Sequence, residues 1–340
     1  MAQKKIGKQT LQFSSVPAIA SAASVVGPME GQGPLGRHYD LVFEDALAGE
    51  KSWENAEQKM MQYSMEIALE KQSLLTSDLD FYLAGDLLNQ IICANFTARF
   101  LNIPFLGLYG ACSTMAEGLC VAGILLEGGF AERIGVSASS HHDTAERQFR
   151  FPTELGVQRP MTAQWTVTGS ASCVVERINS SGVRLTHATI GKIIDMGISN
   201  AHDLGAAMAP AAMNTIKTHL EDLGRKVDDY DLIITGDLGL LGNNLLKELM
   251  KKEGYSTDKV SDCGILVYAP EQDTHSGGSG CGCSAVVLAA HLLKRLQAGT
   301  YQRVFFVGTG ALLSQLSSFQ GETIPCIAHG VVLESTGGGQ

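Results

Sequence analysis

The sequence DLDFYLAGDL at residues 78–87 returns at residues 229–238 as DYDLIITGDL. Five of the ten positions are identical, and each copy is an apolar run that is closed by Gly-Asp-Leu. Short apolar runs rich in β-forming residues, bounded by turn residues, are typical of buried strands. Both copies therefore predict a buried strand that ends in a tight turn.

Two further echoes follow in the same order. ACS at residues 111–113 is matched by GCS at residues 282–284, and GxxxRI at residues 129–134 is matched by GxxxRV at residues 299–304. Ordered self-similarity of this kind indicates an internal repeat. The chain is therefore predicted to contain two copies of one unit.

The predicted halves are residues 1–180 and residues 181–335, followed by a flexible tail at residues 336–340. Apolar residues between the echoes recur at three- and four-residue spacing, which predicts helices such as 53–72 and 285–297. Strands that alternate with helices indicate an α/β fold with largely parallel sheets. Because no Pro- or Ser-rich linker separates the halves, they are expected to share one core.

Composition excludes several classes of protein. Of the 340 residues, 45% are hydrophobic and only 18% are charged. A disordered chain has the opposite composition, with few hydrophobic and many charged residues. The net charge of −10 argues against a non-specific nucleic-acid binder, which would need a basic excess. The 38 glycines fit a compact fold with many tight turns.

Compartment and membrane association follow from the N-terminus and the cysteines. The first fifteen residues are basic but lack the apolar stretch of a signal peptide, and no run is long enough to span a membrane. The eight cysteines are spread through apolar segments, which favours reduced, buried thiols. We expect a cytoplasmic protein, or one held at a membrane through a partner.

The segment IPFLGLYGACSTMAEGLCVAG, residues 103–123, carries the candidate chemistry. It predicts a strand, a turn at Gly110 and Ala111, and an apolar helix with Cys112 in its first turn. A helix N-terminus favours a thiolate, so the pKa of Cys112 is expected to be lowered and its thiol to be a candidate nucleophile. A buried structural cysteine is the alternative.

A duplicated βαβαβ core with a cysteine at a strand-to-helix turn resembles the thiolase and condensing-enzyme superfamily. TGSASCVV at 168–175, THSGGSG at 274–280 and VGTG at 307–310 are similar, in order, to glycine-rich segments of that superfamily. The resemblance implies a thiolase-like α/β fold layered α-β-α-β-α, and a homodimer in which an edge strand of each sheet continues across a two-fold axis.

The same resemblance shows a depleted catalytic set. Members carry a His or Asn where this chain has Asp237, and a thiolase carries a cysteine where this chain has Thr309. Only Cys112 and His275 remain. We therefore expect an inherited pocket without turnover, and the alternative is an acyltransferase that uses Cys112 as its nucleophile with His275.

Four longer stretches resemble the stage V sporulation AD family of spore-forming bacteria: LAGDLLNQ, LYGACSTMAEGL, SSHHDTAERQFRFPTELG and DTHSGGSGCGCSA. This resemblance implies a sporulation protein that binds dipicolinic acid (pyridine-2,6-dicarboxylic acid) and supports its uptake into the developing spore. It also implies other stage V A membrane proteins as partners, at the inner membrane of the forespore.

A pocket for this ligand must hold two carboxylates and a flat ring, and the planar fork of arginine matches a carboxylate. The loop at 139–152 clusters His141, His142, Arg147 and Arg150, although a solvated surface loop is the alternative. The full predicted ligand-binding set is Cys112, Asp86, His141, His142, Arg147, Arg150, Asp237, His275, Ser279 and Thr309.

A metal ion is expected only as calcium that is already bound to the ligand. Two adjacent histidines rarely converge on one ion, so we expect neither a metal site nor a cofactor. The ligand arrives either as the free acid or as its calcium chelate, and acids such as Asp86 or Asp237 would contact the cation in the second case. Capping of turns or helices is the alternative role of both acids.

Overall fold

The computed structural model describes residues 4–149, 159–177 and 182–336. The strands are β1 Lys5–Ile6, β2 Thr10–Gln12, β3 Ala18–Val26, β4 Leu41–Val42, β5 Phe81–Gly85, β6 Phe105–Gly107, β7 Arg133–Ser140, β8 Trp165–Thr166, β9 Gly169–Glu176, β10 Val183–Thr189, β11 Leu232–Thr235, β12 Val260–Asp262, β13 Gly278–Ser279, β14 Arg303–Ala311 and β15 Cys326–Glu334. The helices are α1 Pro28–Gly31, α2 Trp53–Glu70, α3 Ile92–Leu101, α4 Thr114–Glu127, α5 His142–Phe149, α6 Leu204–Leu223, α7 Gly239–Lys252, α8 Cys263–Val267, α9 Cys281–Val287, α10 Leu293–Gln297 and α11 Gln315–Phe319. A π-helical turn, Leu288–Leu292, joins α9 to α10.

The main sheet repeats one strand order in the two parts of the chain. Its path is β12-β11-β14-β15-β10-β3-β9-β7-β5-β6, with β3 and β10 paired antiparallel at the centre. Counted from its own first strand, each part has the order 1-5-4-2-3. This confirms the duplicated α/β fold. The predicted boundary between residues 180 and 181 lies outside the described residues and stays a prediction.

Helices form three layers around the two halves of this sheet. Helices α2 and α3 cover the outer face of the first half, and α6 and α7 cover the outer face of the second. Helix α4 contacts β7 as well as β14 and β15, and α9 contacts β7 and β9, so these two helices lie between the halves. The layering is α-β-α-β-α, as the superfamily resemblance implies.

Two glycines of β14 bring this strand close to the segment that carries Cys112. A Cβ atom on Gly308 would lie 2.7 Å from the Cβ of Ala116, and one on Gly310 would lie 2.4 Å from the carbonyl oxygen of Gly110. Neither distance leaves room for a side chain, so the central helix and the second half can meet here only at glycine.

Three smaller findings concern the sequence predictions. All eight cysteines are buried free thiols. No helix within the described residues has the length and apolar character that a membrane crossing requires. The loop predicted at residues 139–152 is wrong in its first part, because strand β7 continues to Ser140 and helix α5 begins at His142.

Candidate functional site

A cavity of about 330 Å³ lies at Cys112 and is called the Cys112 cavity here. Most of its surface is apolar, and it receives side chains from both halves of the chain. Its lining comprises Asp86, Leu87, Leu88, Asn89, Gln90, Ile91, Tyr109, Ala111, Cys112, Ala145, Gln148, Phe149, Thr166, Ala201, Leu204, Ser279, Ala311, Leu312, Leu313 and Ser314.

Cys112 lies on a single 3-10 turn, Ala111–Ser113, between β6 and α4. The preceding Ala111 has a φ of 48°, and this left-handed conformation makes the sharp turn that presents the thiol. Burial raises the pKa of the Cys112 thiol well above its usual range, and the neighbouring Asp237 carboxylate raises it further. The expected lowering is therefore wrong, because loss of solvent and a nearby anion outweigh the helix N-terminus.

Asp237 follows β11 and is held in a fixed position beside Cys112. Its Oδ1 accepts a hydrogen bond from the Thr309 hydroxyl at 2.7 Å, and its Oδ2 accepts one from the backbone N–H of Gly280 at 3.0 Å. Burial raises the pKa of Asp237 to about 6. The structure thus brings three predicted residues together, with a carboxyl group where an acyltransferase needs a base or an oxyanion donor.

Cys281, at the start of α9, is a close neighbour that the sequence did not single out as functional. Its thiol donates to the carbonyl oxygen of Ala111 at 2.9 Å and is close enough to raise the pKa of Cys112. The repeat in the sequence pointed to this segment, but it aligned Cys112 with Cys283 and not with Cys281. Cys281 and Cys283 are both fully buried, as predicted for small core residues.

Asp86 lines the cavity and also organises the chain that follows β5. Its two carboxylate oxygens accept hydrogen bonds from the backbone N–H groups of Leu88 and Ala94, each at 2.8 Å. The capping role that the sequence allowed is therefore present. Burial raises the pKa of Asp86 to about 6.

Glu57 is a buried acid next to Asp86 that the sequence analysis missed. It accepts hydrogen bonds from the hydroxyls of Ser139 at 2.8 Å and Thr144 at 3.2 Å. Burial, with the neighbouring Asp86 second, raises the pKa of Glu57 to about 8. A signal was available, since position 57 lies on the same helix face as the apolar Met60 and Met61.

The two adjacent histidines do not line the Cys112 cavity. His141 is fully buried, with Nε2 donating to the carbonyl oxygen of Ala46 at 2.8 Å and Nδ1 accepting from the backbone N–H of Asp143 at 3.2 Å. Burial lowers the pKa of His141, so it is a neutral structural residue. His142 stacks on the ring of Trp165, with ring centroids 3.6 Å apart.

Arg147 lines a separate cavity of about 350 Å³ beside the first. Its guanidinium pairs with Glu54 and lies 5.4 Å from the ring centroid of Trp53. Gln148 lines both cavities, and it is held by two hydrogen bonds: its Oε1 accepts from the N–H of Asn89 at 3.2 Å, and its Nε2 donates to the carbonyl oxygen of Leu87 at 2.9 Å. Arg150, the other predicted arginine, lies outside the described residues.

His275 lies in a third cavity, of about 820 Å³, that also contains Arg159 and Trp165. Its Nδ1 donates to the carbonyl oxygen of Pro160 at 2.8 Å, and its Nε2 lies 3.4 Å from Oδ1 of Asp273. The structure therefore does not place His275 in the Cys112 cavity. Of the predicted ligand-binding residues, Cys112, Asp86 and Ser279 line that cavity, and Asp237 and Thr309 form the buried cluster beside it.

Comparison with known proteins decides the family. The family model for stage V sporulation protein AD matches residues 7–334. The chain belongs to this family. One AD protein, stage V sporulation protein AD of Bacillus subtilis (strain 168), is 50% identical over 336 residues, which is 98% of this chain and 99% of the relative.

Solved structures place this AD chain in the thiolase-like fold. The 3-oxoacyl-[acyl-carrier-protein] synthase III of Aquifex aeolicus VF5 superposes with a TM-score of 0.60 at 15% sequence identity. The match covers 94% of this chain and 99% of the synthase chain. A variant of OleA of Xanthomonas campestris, solved with bound lauric acid and lauroyl-CoA, superposes with a TM-score of 0.61 at 15% sequence identity. That match covers 95% of this chain and 99% of the OleA chain. At this identity the likeness confirms the fold alone.

Proposed function

We propose that this AD family protein is a non-catalytic binder of dipicolinic acid that supports uptake of the acid into the developing spore. One observation carries the proposal. The fold keeps an accessible cavity at Cys112, but the group that faces the thiol is the buried carboxyl of Asp237. A carboxylate there opposes thiolate formation and cannot donate a hydrogen bond to an oxyanion, so the cavity is better suited to holding a ligand than to transferring an acyl group.

The size and lining of the cavity support a small, flat ligand. A volume of about 330 Å³ is at the lower end of the roughly 300–1,000 Å³ that small-molecule sites occupy. Leu88, Phe149 and Leu313 offer apolar surface for a ring. The amide of Asn89 and the hydroxyl of Ser279 are polar groups of the lining that suit carboxylate oxygens.

The charge of the lining bears on the form in which the ligand enters. Asp86 contributes a carboxyl group to the cavity, and a calcium ion chelated by dipicolinate would find oxygen ligands there. The free acid would meet the same carboxyl as a like charge. No cluster of three or more potential metal ligands occurs among the described residues, so a calcium ion would come with the ligand.

The setting of the protein is part of the same proposal. We propose a cytoplasmic protein that is held at the inner membrane of the forespore by other stage V A membrane proteins. A homodimer through the edge strand β6 would complete the assembly. The described residues leave that edge of the sheet open, with Leu106 exposed.

Isothermal titration calorimetry with dipicolinate, in EDTA and again with equimolar calcium, tests the binding function. We expect saturable heat in at least one of the two conditions, with pyridine-2-carboxylate as a weaker competitor. Absence of heat and of competition at millimolar ligand in both conditions would refute the proposal.

Acyl transfer is the competing function, because Cys112 lines a cavity in a fold that condensing enzymes share. Incubation with acyl-CoA esters of several chain lengths, followed by intact-mass measurement, tests it. We expect no adduct. An adduct that is present in the natural protein and lost in Cys112→Ala would establish acylation and overturn the non-catalytic assignment.

A further inference from the structure

The carboxyl groups of Asp86 and Glu57 form a buried pair at one wall of the Cys112 cavity. Asp86 lines the cavity, and Glu57 lies behind it. Cys93 lies next to both acids, because burial and then the charges of Glu57 and Asp86 raise the pKa of its thiol, which donates to the backbone carbonyl oxygen of Glu54 at 3.4 Å. Thr144, which donates to Glu57, belongs to α5, and the next residue of that helix, Ala145, lines the cavity.

The hydrogen bonds differ between the two acids. Asp86 receives two backbone N–H donors, which favour its ionised form. Glu57 receives hydroxyl groups, which are weaker support for a charge and can also accept a hydrogen bond from a protonated carboxyl. The proton of the pair therefore belongs on Glu57, in agreement with its pKa of about 8 against about 6 for Asp86.

The two thiols and the phenol beside the pair stay neutral in this range. Burial raises the pKa of Cys93 on α3 and of Cys281 on α9 well above the usual value, and that of Tyr82 on β5 is raised too. Glu54 of α2 and Arg147 of α5 face each other as an ion pair nearby. Glu57 is therefore the member of this group that titrates just above neutral pH.

We propose that the cavity binds a dicarboxylate while the Asp86–Glu57 pair holds one proton, on Glu57. This inference rests on the proposed function. If Glu57 were ionised, a ligand carboxylate beside Asp86 would be the third negative charge in a poorly solvated site, and like charges that close cannot all remain ionised. Keeping Glu57 neutral removes one of the three charges without moving any group.

The sign of the pH dependence follows from linkage. Below pH 8, Glu57 is already protonated in the free protein and binding takes up little more. Above pH 8, the free protein loses this proton and the complex must recover it, so the affinity falls by up to tenfold per pH unit. Glu57→Gln is a permanently neutral isostere and abolishes this fall.

Calorimetric titration with dipicolinate in EDTA at pH 7 and pH 9 tests the inference. We expect the natural protein to bind about tenfold more weakly at pH 9, and Glu57→Gln to bind within about twofold at the two values. Glu66→Gln, on the solvent side of the same helix, is the matched control and keeps the fall. Pyridine-2-carboxylate, which has one carboxylate, gives a smaller fall.

A second measurement avoids the variant altogether. At pH 8.5, titration in two buffers of different ionisation enthalpy gives the number of protons taken up by the natural protein, which we expect to be about three quarters of a proton per site. Equal affinity at pH 7 and 9, or a fall that persists in Glu57→Gln, overturns the inference. Binding that requires calcium and ignores pH assigns charge compensation to the cation and also overturns it. Absence of binding at any pH refutes the proposed function instead.

Discussion

The Thr309 hydroxyl donates to Oδ1 of Asp237 over 2.7 Å, and both side chains are fully buried beside Cys112. With the Gly280 N–H on its other oxygen, the Asp237 carboxyl has a fixed orientation. A fixed anion next to a thiol makes the thiolate less favourable. The cluster therefore keeps Cys112 protonated, whereas a thiolase-like enzyme needs this sulfur as a nucleophile.

Asp237→Asn is expected to make Cys112 more reactive. Removing the negative charge lowers the pKa of the thiol, and a fall of one pKa unit gives about tenfold more thiolate at pH values below the pKa. The rate of alkylation by iodoacetamide at pH 8, followed by peptide mass spectrometry at Cys112, measures this. Thr309→Val, which leaves the charge in place, should produce a much smaller change. An unchanged alkylation rate in Asp237→Asn would contradict the assignment.

Filling the Cys112 cavity is expected to abolish ligand binding. Ala201 is half-buried at the edge of the cavity, so Ala201→Trp places an indole ring in that space with little cost to the core. We expect dipicolinate affinity to fall more than tenfold by calorimetry. His275→Ala, in the separate cavity with Arg159, is the control and should leave the affinity within about twofold. A large loss in the control would place the ligand in that other cavity.

Local patterns in the sequence were sufficient to predict a duplicated α/β fold, and the superfamily resemblance supplied its layering. The echo at 78–87 and 229–238 became strands β5 and β11, and the helix predicted from Trp53 is α2. Strand and helix periodicity are short-range signals, and the repeat supplied the long-range pairing that such signals lack.

The site was predicted only in part, because clustering on the chain differs from clustering in space. His141, His142 and Arg147 are close in sequence, but β7 and α5 point them at Ala46, Trp165 and Glu54 respectively. Glu57 was missed because its neighbours, Asp86 and Ser139, are distant in sequence. The prediction that the pKa of the Cys112 thiol is lowered was wrong, because the burial around this thiol comes from several segments and the pattern of one helix does not show it.

Three buried acids are expected to cost the fold stability as the pH rises from about 5 to 8. Burial raises the pKa of Glu30 to about 7, of Asp262 to about 7 and of Glu57 to about 8, so each acid is better tolerated when protonated. Folded-state pKa values above the unfolded ones mean that this stability is present at low pH and is lost as the pH rises to 7 or 8. Two kinds of group oppose this trend at lower pH: Glu127, with its pKa lowered to about 2, loses stability below pH 4.5, and burial lowers the pKa of His187 and His329 to about 4 and of His219 to about 3, so these histidines lose stability below about pH 6.5. Melting temperatures from pH 4 to 9 measure the profile.

Glu30→Gln is expected to flatten this profile. A pKa shift from 4.5 to about 7 corresponds to about 3 kcal/mol of cost when the acid is ionised in the fold. The variant removes that cost at pH 8, although the hydrogen bonds from Tyr268 and from the N–H of Thr168 are altered. The melting temperature at pH 8, taken relative to that at pH 5, should therefore be higher in the variant than in the natural protein. The exposed Glu322→Gln is the control, and an unchanged difference in Glu30→Gln would contradict the assignment.

Leu106→Asp is expected to convert a homodimer to a monomer. Strand β6 ends the path of the main sheet in the described structure, and Leu106 on it is 46% exposed beside Tyr109 at 61%. An open, apolar edge strand invites pairing with a second copy across a two-fold axis, and a charge on it prevents that pairing. Size-exclusion chromatography with light scattering should give twice the chain mass for the natural protein and the single-chain mass for the variant. Phe319→Asp, an exposed apolar position on α11, should keep the dimer, and a natural protein of single-chain mass would refute the proposed assembly.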